Sequence, residues 1–215
     1  MLFRSAFAGF VVVLLLFIYS FVYGRKVMKH SSRRELLKKL FEIVQQDADA
    51  QSAFSVRLSL DDHPKLISEA PWPQRKNGKQ QYFEESWLSL EGRLLDGVIL
   101  SEQITELSRK RTFTNPRGKS KTKRRSRFLV TLRFNYPREV YGDARAAQQA
   151  LHEQVRLPGT AKLRGVRVSE KAIALKALTP APGEVPYLTG MMAMGAYRIL
   201  NLARRHAATG RGGAK

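Results

Sequence analysis

Residue types able to do chemistry are sparse in this 215-residue chain, and most stand apart from one another. The four histidines, His30, His63, His152 and His206, show no H-E-x-x-H or comparable ligand spacing. There is no cysteine, which excludes disulfides, thiolate zinc sites and cysteine nucleophiles. Asp61-Asp62-His63 carries atoms suited to metal binding or acid–base work, but adjacent acids ahead of Pro64 are the usual composition of a solvated turn. Glu84 and Glu85 on a strand point to opposite faces, so they cannot act as one acid–base pair. No G-x-S-x-G, phosphate-binding loop or dinucleotide fingerprint is present. The expectation is a protein that is not an enzyme, with no catalytic residue, metal or cofactor.

The strongest chemical signal is cationic. The formal net charge is +20, yet Phe54 to Ser108 holds nine acids against six bases. The surplus concentrates between Arg109 and Arg127, in Arg109, Lys110, Arg111, Arg117, Lys119, Lys121, Lys123, Arg124, Arg125 and Arg127, with no acid among them. Pro116 and Gly118 predict an exposed, self-repelling loop 109–127 between two strands. Near an anionic leaflet each such cation contributes about 1 kcal/mol, falling off within a Debye length of about 8 Å. Several together outweigh the roughly 1–2 kcal/mol that ordering each loop residue costs. Against RNA the same segment would release counterions and bind with a steep salt dependence. Phe113 alone could stack on a base, so a single-strand reading platform is not supported.

Residues 6–24, uncharged throughout, are what must position this segment. As a helix they would span roughly 28 Å, close to the hydrocarbon thickness of a bilayer. Phe10, Val13, Leu16, Phe17, Phe21 and Tyr23 supply the lipid-facing bulk, with Phe21, Tyr19 and Tyr23 at the headgroup end. Arg4 precedes the run as it would in a cleaved signal, but the run is longer than such a core and Gly24 leads directly into Arg25 and Lys26. Arg25, Lys26, Lys29, Arg33 and Arg34 follow, and the positive-inside rule then puts the C-terminal bulk on the cytoplasmic or mitochondrial matrix side.

The rest reads as a small α+β domain. Ser32 and Glu35 have capping-box spacing ahead of a helical stripe of Leu36, Leu37, Leu40, Phe41 and Val44. Phe54, Val56, Leu58 and Leu60 alternate as in a half-buried strand, and 70–79 reads as a loop. Tyr82 to Leu90 and Val98 to Leu107 are further strands, and Glu91-Gly92 and Asp96-Gly97 mark turns. Phe128, Val130, Leu132, Phe134 and Tyr136 line one face of the clearest strand. Asp143 would cap a helix through Val155, and 161–168 with 172–178 form a hairpin. A last amphipathic helix starts near Pro186 and ends in Arg204 and Arg205, suiting its own sheet, a partner or an interface equally.

The expected order is a tail 1–5, a single transmembrane helix 6–24, a basic juxtamembrane segment and helix 25–51, and a mainly antiparallel domain 52–179. A linker and helix 180–205 and a disordered basic tail 206–215 follow. In layout alone this resembles membrane-anchored assembly factors of the mitochondrial inner membrane, a likeness that assigns no residue. It implies a single-pass adaptor or assembly subunit whose basic loop binds an acidic protein partner or anionic lipid; the alternative is a membrane-tethered RNA- or ribosome-binding protein.

Overall fold

The structure is a computed structural model that describes residues 31, 33–49, 52–59, 64–71, 78–115, 118–145, 147 and 155–212. The stretch 6–24, the flanking cations Arg25, Lys26 and Lys29, Ser32 and the triplet Asp61-Asp62-His63 lie outside them. No helix among the described residues is long and apolar enough to cross a membrane. The chain divides into two compact units, 1–41 and 42–215. Of the first, the described part belongs to helix α1 (33–44), which continues into the second. Leu36, Leu40 and Val44, four residues apart, are buried; Arg33 is buried too, and Arg34 is exposed.

The second unit is α+β, built on an antiparallel seven-stranded sheet. Its strands are β1 (Ser55–Leu58), β2 (Lys65–Pro71), β3 (Lys79–Arg93), β4 (Ile99–Thr114), β5 (Ser120–Asn135), β6 (Lys162–Val168) and β7 (Ala172–Thr179). The order is β1-β3-β4-β5-β7-β6, and β2 pairs with the other half of β3. Two short helices interrupt it: α2 (Arg138–Tyr141) and a 3-10 turn at Pro182–Glu184. Helix α3 (Val185–Gly212) then crosses one face, against β5 and β7. It runs past Arg205 into the stretch expected to be a tail.

The core lies between α3 and that face. Val185, Leu188, Met192, Ala196, Ile199, Leu200 and Ala203 recur at helical spacing and are buried. Opposite them stand Leu100, Ile104, Val130, Leu132, Phe134, Ile173 and Leu175, at the alternate positions of three neighbouring strands. The Phe134 and Tyr197 rings meet edge to face at 5.9 Å. The apolar face of the C-terminal helix is therefore occupied by its own sheet. A register shift between Ser86 and Leu88 puts an extra residue, Trp87, into β3. That bulge changes the phase of the alternation, so that Glu85, Trp87, Leu88 and Leu90 are all buried.

Several elements depart from expectation. β1 has no half-buried alternation: all four of its residues, Val56 and Leu58 included, are exposed. β2 occupies residues to which the sequence assigns no element and runs into the expected loop 70–79 at Ala70 and Pro71; it is an edge strand, where Pro71 needs no ladder donor. The helix expected from Asp143 to Val155 lies mostly outside the described residues; Ala144, Arg145 and Ala147 form a 3-10 turn, preceded by α2, which periodicity does not signal because four residues make one turn. Asp143 does cap locally, its carboxylate accepting the Arg145 N–H at 2.9 Å.

Candidate anion-binding face

The expected basic loop 109–127 is not a loop. β4 continues to Thr114, β5 begins at Ser120, and the two form a hairpin of 16-residue strands. Gly118 falls inside its tip and breaks neither strand, and Pro116 lies outside the described residues. Gly118 has φ +74°, the left-handed conformation that the turn requires and that a side chain disfavours. The Asn115 side chain closes the turn by accepting the Lys119 N–H at 2.8 Å. Thr112, Phe113, Thr114 and Thr122 are good strand formers, and β3 supplies a second hydrogen-bonding neighbour as far as Thr112. Ladder bonds on both sides of β4 outweigh the repulsion that a loop assignment was meant to relieve.

The register sets like charges against each other. Arg109 stands opposite Arg125, Lys110 opposite Arg124 and Arg111 opposite Lys123. Directly opposed like charges weaken a strand pair by about 0.2–1 kcal/mol each. Arg111 Nε donates to the Gln80 side chain at 2.8 Å and Arg124 to the Ser108 hydroxyl at 3.2 Å. Those bonds hold both guanidinium groups in place. Lys119, Lys121, Lys123, Arg124, Arg125 and Arg127 are exposed, and Arg117 lies outside the described residues. Phe113 is only 7% exposed, which removes it as a stacking surface.

Residues opposite one another in a ladder share a face, and the register assigns Arg109, Arg111, Lys121, Lys123, Arg125 and Arg127 to the side of the sheet away from α3. Arg57, Lys65, Arg133, Lys162, Arg167 and Lys176 fall on that side as well. Two strand carboxylates join them: Glu84, opposite Lys65, and Glu91, opposite Ser55. The sheet thus has an apolar face under α3 and a cationic face opposite, open at Lys121, Lys123, Arg125 and Arg127 although Gln80, Thr105 and Phe113 on it are buried. Sequence reading found the hairpin cations; it missed the rest because they are spread over five strands, and only the register collects them.

A groove of about 460 Å³ crosses the open face near the middle of the hairpin. Ile67, Tyr82, Leu107, Leu129 and Leu178 give it an apolar lining, and Arg109, Arg125, Arg127 and Arg164 surround that lining with charge. None of these four arginines forms an ion pair among the described residues.

Two acid sites lie elsewhere. Glu102, 1% exposed, projects from β4 under α3, where its Oε1 accepts the Thr189 hydroxyl at 2.7 Å. Its Oε2 has no hydrogen-bond partner among the described residues. Burial raises its pKa to about 7, against which the Thr189 bond pulls down. Asp96 sits in the β3–β4 turn, accepting the Val98 N–H at 3.1 Å and the Tyr141 hydroxyl. Desolvation, then the bond to Asp96, raises the Tyr141 pKa, and burial with the same carboxylate raises that of Tyr197. Both phenols stay neutral and donating, so this cluster ties turn, α2 and α3 together. Glu84 is exposed and Glu85 buried, on opposite faces as expected. Among the described residues no group of three or more histidines and acids is placed to hold a metal ion.

No family model matches the chain, and neither a curated protein nor a solved structure does.

Proposed function

We propose that the chain is a single-pass, membrane-anchored, non-enzymatic adaptor whose β4–β5 hairpin docks on an acidic surface. The opposed like-charge pairs carry this reading. Charged residues on an exposed edge strand have a bland use, since they prevent edge-to-edge aggregation. That use accounts for the cations of β5, whose outer edge from Ser120 to Arg127 pairs with no other described strand. It does not account for Arg109, Lys110 and Arg111, which lie in β4 between two hydrogen-bonded neighbours and have no edge to guard. A polyanion bound on the open face offsets the repulsion of Arg109 with Arg125 and of Arg111 with Lys123 by pairing both rows at once; Lys110 and Arg124 lie on the other face. RNA reading has less support: the aromatic rings lining the groove are Tyr82, 37% exposed, and the half-buried Phe83, adjacent on one strand, and Phe113 is buried.

The test uses the full chain reconstituted in nanodiscs of zwitterionic lipid and titrated with labelled polyglutamate at several salt concentrations. Binding should weaken steeply with salt, and replacing Arg111, Lys121 and Lys123 by glutamine should flatten that dependence. An unchanged salt slope in the triple variant would refute hairpin docking.

A further inference from the structure

We propose that the groove on the open face is a binding site for one anionic phospholipid, the arginines taking the phosphate and the apolar lining taking the start of the acyl chains. This deepens the docking reading, on which it rests, by naming the ligand of one part of the face. Arg109 and Arg125 stand directly opposite each other, and Arg127 is the next same-face residue of β5. Arg164 comes from the bulge in β6, on the far side of the groove. Guanidinium groups converging from separate strands suit a phosphodiester, whose oxygens accept paired N–H bonds.

Charge alone would equally fit an inorganic phosphate or an acidic peptide; the lining decides between them. Leu107, Leu129 and Leu178 lie in neighbouring positions on three strands, with Ile67 at the rim, 54% exposed. Aliphatic side chains kept next to arginines match a ligand that changes from anionic to hydrocarbon within a few ångströms. A free anion leaves Ile67 and the half-exposed Leu107 and Leu129 in water, with Leu178 already buried beneath. An acidic peptide with carboxylates along its length would set some of those charges against aliphatic groups. Residues 6–24, read as a bilayer anchor, also tether the groove to a lipid supply at high effective concentration. Glu84, opposite Leu107, is the nearest opposing charge in the register and has Lys65 facing it.

The experiment uses the full chain in neutral detergent and three soluble probes: dihexanoyl phosphatidylglycerol, its headgroup glycerol phosphate, and dihexanoyl phosphatidylcholine. Phosphatidylglycerol should bind saturably, at least about tenfold tighter than either control, the span of one good charge-assisted contact or of two buried methylenes. The exposed-site variants Arg127→Gln and Arg164→Gln should each lose roughly tenfold, and Leu107→Asn should abolish the preference over glycerol phosphate. Lys121→Gln with Lys123→Gln, outside the groove, should stay within about twofold for phosphatidylglycerol while losing polyglutamate. Equal affinity for glycerol phosphate would overturn the proposal in favour of a plain anion site, and absent phosphatidylglycerol binding with retained polyglutamate binding in favour of an acidic protein. Equal losses in the groove and distal variants would reduce it to diffuse charge and leave hairpin docking standing.

Discussion

Replacing Glu102 by glutamine should make the protein about 3 kcal/mol more stable at pH 8 but only about 1 kcal/mol more stable at pH 5. In the fold, Glu102 faces Leu90 and Leu132 across the ladder, Leu100 and Ile104 along its own strand, and α3 above. Its carboxyl keeps a proton until about pH 7, whereas the unfolded chain releases it near the ordinary 4.5. Between those values the folded state binds more protons, so the stability of the fold falls as pH rises. Below about 4.5 both states are protonated and the group adds no slope; above about 7 the whole loss has been incurred. The gap corresponds to about 3 kcal/mol. Glutamine keeps the size and the oxygen that accepts from Thr189, and it never ionises. For a chain of this size the difference at pH 8 amounts to roughly 6–12 °C in Tm. Thermal melts of the full chain and the variant, in the same neutral detergent at pH 5 and pH 8, measure it. Other titrating groups are common to both proteins and cancel in the comparison. Parallel pH profiles for the two would refute the argument, because they would mean that Glu102 ionises in the fold as readily as outside it.

Removing the donor instead should act in the opposite sense. Thr189→Val strips the bond that lowers the Glu102 pKa, and should cost about 1–3 kcal/mol by urea unfolding at pH 5, more at pH 8. Lys123→Glu turns the Arg111 pairing from repulsive to attractive. It should raise stability by a few tenths of a kcal/mol to about 1 in the same denaturation assay while weakening polyglutamate binding. Gly92→Ala should destabilise by roughly 1–3 kcal/mol, since a Cβ there would come within 2.2 Å of the Phe54 ring. Phe54→Ala with Gly92→Ala should recover part of that loss if the clash is its cause, as melts of the single and double variants will show.

Legibility followed the range over which each signal acts. The strand from Phe128 to Tyr136 and the hairpin of β6 and β7 were readable because alternation and turn residues are local, and in the strand the faces came out as the pattern implied. The tip of the long hairpin misled for a related reason. Pro116 and Gly118 are turn residues, but nothing local says whether a turn occupies five residues or nineteen. The answer depends on β3, whose pairing with Arg109 to Thr112 holds β4 extended at a sequence distance of some thirty residues. The Trp87 bulge is invisible for a similar reason, since it records how β3 must bend to pair with β4. The apolar spacing of α3 was plain, but its partner was not, because a stripe of Leu, Met and Ile fits a sheet, a bilayer or another protein alike.

The charge distribution makes sense once the two faces are separated. Stability resides under α3, where Ile104, Val130, Leu132, Phe134, Ile173 and Leu175 are buried to within a few per cent. Beyond Ser108 the face that α3 would cover is open: Lys110, Thr114, Ser120, Thr122 and Arg124 are exposed, so the outer hairpin is held mainly by its backbone ladder. A segment supported that way can carry opposed charges only because the buried half of the same strands anchors its register. The cost of the repulsion is met by the core under α3, built from other residues of the same strands. A chain selected for stability alone would place Glu or Thr opposite Arg109, Lys110 and Arg111, since either removes repulsion at no expense to the ladder. Cations stand there in all three places, two pairs on the open face and one on the other, and the anion docking proposed above accounts for the first two.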